Sequence, residues 1–171
     1  MATKDFNMAS NVKAERKMVA TYVDVGTSAT PEWEIVGAGV EESSIEFNAD
    51  VSTVTDILGI TETSVNKFEE AQSFDPNELR GGQKLNAILL DIVRRRAFSE
   101  LSNFKVMRAY KFLGTDSTIE AEYDTGCTIT PQSLGGSSYV GMPIDINFSG
   151  ERTFGTVDSL KNPTFTPNVS A

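Results

Sequence analysis

The chain has 171 residues, 39% hydrophobic and 23% charged, the balance of a soluble globular protein long enough to bury one domain's core. Its net charge of −9 excludes tight gripping of nucleic acid, which needs clustered cations to displace counterions from phosphate. With no histidine and one cysteine, Cys127, it forms neither an intramolecular disulfide nor a Ser/His/Asp or Cys/His triad. The lone cysteine fits a reducing cytosol. No apolar run approaches a membrane span, and we expect no secretory leader.

Residues 1–17 mix charges without a core pattern and read as an arm. Residues 18–25 alternate and predict a strand. Residues 26–31 predict a loop. Residues 33–40 predict a second strand that ends at Gly37-Ala38-Gly39. In residues 44–57, Ile45, Phe47, Ala49, Val51 and Ile57 alternate with Glu46, Asn48, Asp50, Ser52 and Asp56. Successive side chains on a strand point to opposite faces, so this is a long strand, oily on one side and acidic on the other. Leu58-Gly59 predicts a turn, and residues 60–74 the return strand of a long hairpin.

Asp75-Pro76 breaks the β pattern. Leu85, Ile88, Leu89, Ile92 and Val93 then recur at helical spacing, which predicts one amphipathic helix over residues 83–99 with Leu85, Ile88, Leu89 and Ile92 in the core. Strands follow at 104–113, 118–124, 127–131, 142–149 and 151–157, with a Gly/Ser-rich loop at 132–138. In 118–124, Ile119, Ala121 and Tyr123 take one face and Glu120, Glu122 and Asp124 the other. Residues 158–171, polar with Pro163 and Pro167, read as a second arm. The layout is mainly β: a β-sandwich or barrel of about eight strands flanked by one α-helix, over residues 18–157, between two arms. Bare sheet edges plus arms suggest assembly.

The side chains with chemical potential have simple readings. Glu120, Glu122 and Asp124 lie along a line rather than around a point, so a solvated face or a repulsive lining accounts for them better than a cation site. Arg94-Arg95-Arg96 fan around the end of the helix, where cations suit its C-terminus. Gly81-Gly82 lacks phosphate-loop spacing. Cys127 reads as a core residue, and Trp33 as a core or interface anchor. Neither a catalytic set, a metal site nor a cofactor site emerges.

In order, the pieces resemble the phage tail tube protein family. The resemblance rests on the polar N-terminal arm and on Trp33-Glu34-Ile35-Val36-Gly37-Ala38-Gly39-Val40 leading into the long hairpin. Ser73-Phe74-Asp75-Pro76 before the single helix, and the run of alternating strands after it, complete the match. The resemblance implies a non-enzymatic virion protein of the tail, made in the host cytoplasm. Its copies close into rings, expected to be hexameric, that stack into a tube with a continuous inner β-barrel. Tape measure and tail terminator proteins are implied partners, and DNA passes through without tight binding. An anionic wall suits that passage, so Glu46, Asp50, Asp56, Glu120, Glu122 and Asp124 are the candidate lumen residues. The inner tube of a contractile injection particle or phage-like bacteriocin is the nearest alternative. A monomeric β-sandwich binding module is the alternative from another class.

Overall fold

The computed structural model describes residues 5–115 and 117–168. Its strands are Val19–Asp24 (β1), Trp33–Ile35 (β2), Ile45–Glu46 (β3), Ala49–Thr55 (β4), Thr61–Phe68 (β5) and Ala71–Phe74 (β6). The helix Lys84–Arg95 (α1) follows, then Phe104–Gly114 (β7), Ile119–Pro131 (β8), Ile144–Asn147 (β9), Arg152–Val157 (β10) and Phe165–Pro167 (β11). Among the described residues, nine strands make one curled, half-barrel sheet in the order β2-β1-β7-β8-β9-β6-β3, with β10 joining β8 and β11 joining β10. The hairpin β4-β5 stands apart as its own two-stranded piece.

Strand β8 organises the sheet. Its first half pairs with β7 on one side and β10 on the other, and its second half pairs with β9. Phe104 faces Cys127 while Val106 faces Asp124, so two steps along β7 span three along β8. The extra residue is a bulge at Thr125-Gly126, where Gly126 has a φ of +72°, a conformation that disfavours side chains. A bulge resets the alternation. Asp124 and Cys127, which strict alternation would put on opposite faces, are both buried toward the interior.

That interior is the main core. Val23, Phe74, Val106, Cys127, Ile129, Ile144 and Ile146 pack there beneath Leu85 and Leu89 of the helix. Burial in this apolar setting also pushes the Cys127 thiol above its ordinary value. The helix is one turn shorter than its pattern predicts, because Arg96 takes a left-handed conformation (φ +59°) and residues Phe98–Ser102 continue as a 3₁₀ turn. At the other end the Glu34 carboxylate, from β2, accepts the Lys84 and Leu85 backbone N–H groups at 2.7 and 3.3 Å. It thereby satisfies two donors that the helix itself cannot.

The buried face of α1 is Leu85, Asn86, Leu89 and Ile92, so Ile88, expected in the core, is only half-buried. The reason is polar. The buried Asn77 amide donates to Asn86 Oδ1 at 3.0 Å and to the Met142 carbonyl at 2.8 Å, which turns Asn86 inward.

The outer face of the sheet has a second, smaller core of Tyr22, Met107, Ala109, Ile119, Ala121 and Val157. Residues 158–168, expected as an arm, lie over it. Leu160 and Phe165 pack on it, the Tyr22 hydroxyl donates to the Leu160 carbonyl at 2.6 Å, and β11 extends the sheet. Small residues make room: Ala109, Ala121 and Gly155 are aligned in register across β7, β8 and β10. A Cβ at Gly155 would come within 2.4 Å of the Phe165 ring and 2.3 Å of the Thr166 carbonyl. Gly155→Ala is therefore expected to destabilise the domain by roughly 1–3 kcal/mol, the usual overpacking range. Equal urea midpoints for the variant and the parent would show that Phe165 moves aside without penalty. Residues of the N-terminal segment also touch the domain, where the Asn7 N–H bonds the Phe112 carbonyl at 2.9 Å and Phe6 meets Phe112 edge to face.

Candidate functional site

The six carboxylates singled out from the sequence fall into two places. Glu120, Glu122 and Asp124 lie on β8, three strands away from β3 in the sheet order. Glu46, Asp50 and Asp56 lie on β3 and the projecting hairpin, all exposed.

The β8 group faces the concave interior. Asp124 is buried and Glu122 nearly so, which corrects the expectation that alternation keeps the acidic face out of the core. The bulge and the curl of the sheet are responsible, because they turn that face toward the inside. Two arginines meet the carboxylates there. Arg108 Nη2 lies 2.8 Å from Glu122 Oε1 and 3.0 Å from Asp124 Oδ2, and Nη1 bonds Glu70. Arg152 Nε donates to Asp124 Oδ1 at 2.7 Å, and its Nη2 lies 3.0 Å from Glu70 Oε2. Tyr110 donates its hydroxyl proton to Glu122 at 3.1 Å. Arg108 is fully buried, with its guanidinium carbon 4.2 Å from the centre of the Phe148 ring.

Three carboxylates against two guanidiniums leave the group a formal charge of −1. Glu122 and Asp124 are thus held by cations and offer no bare anionic wall. Among the described residues, no group of three or more His, Cys, Asp or Glu is placed to hold a metal ion. Arg108, Arg152 and Glu70 were not anticipated. The available signal was a lone arginine inside the buried run Val106-Met107-Arg108-Ala109-Tyr110.

Burial alone would raise the Glu70 carboxyl, but hydrogen bonds from Arg152 and Arg108 outweigh it and hold the group below its ordinary 4.5. A carboxyl depressed in the folded state contributes stability that is complete above its unfolded value and is lost as pH falls through the folded one. Urea unfolding is expected to show this contribution intact above pH 4.5 and declining below it, and Glu70→Gln to flatten that decline. An unchanged acid limb in the variant would count against the pairing.

The cluster sits at the root of the hairpin. Glu70 lies between β5 and β6, and its carbonyl accepts the Phe148 N–H at 2.9 Å, while Asn48 and Glu69 bond each other across the root. Beyond that root, β4 and β5 leave the sheet. One face of the hairpin carries the pairs Val51–Val65, Thr53–Thr63 and Thr55–Thr61; the other carries Ser52 bonded to Ser64 and Asn66. Asp56 caps the turn by accepting the Leu58 and Ile60 N–H groups at 2.8 and 2.9 Å. At the tip Ile57 is 102% exposed and Leu58 79%. A lone two-stranded hairpin is marginal in water, and this one spreads aliphatic side chains into solvent.

No family model matches the sequence, and no curated protein does. Solved structures do. A chain of the PVC sheath-tube complex of an extracellular contractile injection system, in its extended state, superposes with a TM-score of 0.50 at 9% identity, covering 87% of this chain and 95% of that one. A chain from the sheath/tube terminator of the same kind of system gives 0.49 at 9% identity, covering 85% and 99%. A chain from the tube-terminating cap of the anti-feeding prophage gives 0.47 at 10%, covering 88% and 95%. The first of these likenesses shows that this chain shares the fold of a component of such a complex.

Proposed function

We propose that the chain is a non-catalytic structural subunit that self-assembles into the hollow tube of a phage tail or tail-like particle. The observation that carries the reading is the projecting hairpin, whose aliphatic tip and β-branched face have no partner within the described chain. Exposed apolar surface of this kind marks an interaction site. The shared fold with a component of a sheath-tube complex supports the same reading and favours, as the nearest second one, the inner tube of a contractile injection particle.

In this reading copies close into rings, with hexamers expected, and rings stack. Tail terminator and tape measure proteins are the further partners, the site of action is the particle's tail, and DNA moves through the lumen unbound. Glu46 and Asp50, exposed and outside the arginine cluster, are the proposed anionic lining, because cationic walls would hold phosphates.

Sedimentation velocity across a concentration series tests the proposal. Ring-sized and larger species should grow with concentration at the expense of monomer. A single monomeric boundary up to millimolar protein, at every salt concentration, would overturn it.

A further inference from the structure

The outer face holds a cavity that the assembly reading leaves without a role. It has a volume of about 410 Å³ and is walled by Trp33, Tyr123, Phe165 and Pro163, with Asp24 and Lys105 at its rim. The Tyr123 ring lies 6.0 Å from that of Trp33 and 5.0 Å from that of Phe165. Asp24 is engaged, its Oδ1 accepting the Gly26 and Glu32 N–H groups at 3.0 Å each. Lys105 is half-buried and, among the described residues, has no ion pair. This is an aromatic slot whose mouth carries Lys105, a cation without an ion pair among the described residues, beside an Asp24 carboxylate held by backbone N–H groups.

We propose that this slot receives the hairpin tip of a second copy of the chain, with Ile57 and Leu58 against the aromatic walls and Asp56 beside Lys105. The inference rests on the assembly reading and adds the contact that carries it. The tip supplies two exposed branched aliphatics next to a carboxylate, the complement of an aromatic slot with a cation. The volume lies within the roughly 300–1,000 Å³ range of pockets that hold a compact ligand. The hairpin springs from the β3/β6 end of the strand order, whereas the slot lies on the outer face across β2, β1, β7, β8 and β11, so the contact joins two different patches. Such a heterologous contact propagates into rings or open filaments rather than stopping at a dimer.

Full-length Leu58→Cys and Thr164→Cys variants, mixed and exposed to oxidised glutathione, test the contact directly. Thr164 lines the slot and is exposed, and the native Cys127 is fully buried. A mixed disulfide dimer between the two variants is expected, and it should not form when Asn66→Cys, further down the same hairpin, replaces Leu58→Cys. Leu58→Asp changes only an exposed tip and should leave the fold unaltered. It should weaken association by roughly 30-fold or more, the scale of losing an interface anchor. Lys105→Glu should weaken association and Lys105→Met should do so less. If tubes form but the disulfide is absent and Leu58→Asp assembles normally, the slot contact is wrong while the assembly reading stands. A wild-type protein that never associates, with cysteine variants that never cross-link, removes both. Quenching of Trp33 by a soluble oligosaccharide, with hairpin variants assembling normally, would assign the slot to a sugar and overturn the proposal.

Discussion

Replacing Arg108 with alanine is expected to destabilise the domain by about 3–5 kcal/mol, because it strips a buried ion cluster of its central cation. Arg108 is fully buried and shared among Glu70, Glu122 and Asp124. Without it, three carboxylates face each other with only Arg152, itself partly exposed, to compensate. Asp124, buried at the bulge, loses one of its two cationic partners. Arg108→Lys should recover only part of the loss, since a single ammonium cannot span three carboxylates as a guanidinium fork does.

The same cluster joins β7, β8 and β10 to the root of the hairpin, so the alanine variant should also assemble poorly where it still folds. Urea unfolding measures the first effect, and a loss under about 1 kcal/mol would mean that water reaches the cluster and solvates it.

Leu89→Ala is expected to cost about 2–5 kcal/mol, the range for truncating a buried large aliphatic. Leu89 is fully buried in the main core under the helix. Ile88, its neighbour on the same sequence stripe, is half-buried and should lose far less on truncation. Comparing the two by thermal or urea unfolding checks the helix rotation directly. Equal losses would place both side chains in the core and contradict the inward turn of Asn86.

Much of the architecture was legible in the sequence. The single helix, the strands that became β1, β7, β8 and β9, and the β class as a whole follow from period-2 and period-3.6 patterns. Those patterns report which face meets a core, and they hold wherever the backbone stays regular. They failed where it did not. The long hairpin predicted over 44–57 and 60–74 is broken into β3/β6 at the sheet and β4/β5 beyond it, because Asn48, at φ +45°, and the Glu69-Glu70 step interrupt the pairing.

Alternation puts Glu120, Glu122 and Asp124 on one face, opposite Tyr110, Arg108 and Val106 of β7. That this face points inward depended on the bulge at Thr125-Gly126 and on arginines far away in sequence, neither of which a local pattern encodes. The slot of Trp33, Tyr123 and Phe165 unites residues from β2, β8 and β11, a grouping that only the folded chain reveals. The C-terminal segment reads as an arm in the sequence for a related reason. Its few apolar residues have no periodicity, yet Leu160 and Phe165 dock where Ala109, Ala121 and Gly155 leave space.

The most direct measurement of the central claim is negative-stain electron microscopy of the purified full-length protein over a concentration series. The account predicts rings of uniform diameter and, at higher concentration, hollow tubes built by stacking them, with Leu58→Asp shifting the onset to higher concentration. Fields of isolated particles of monomer size at every concentration would contradict it.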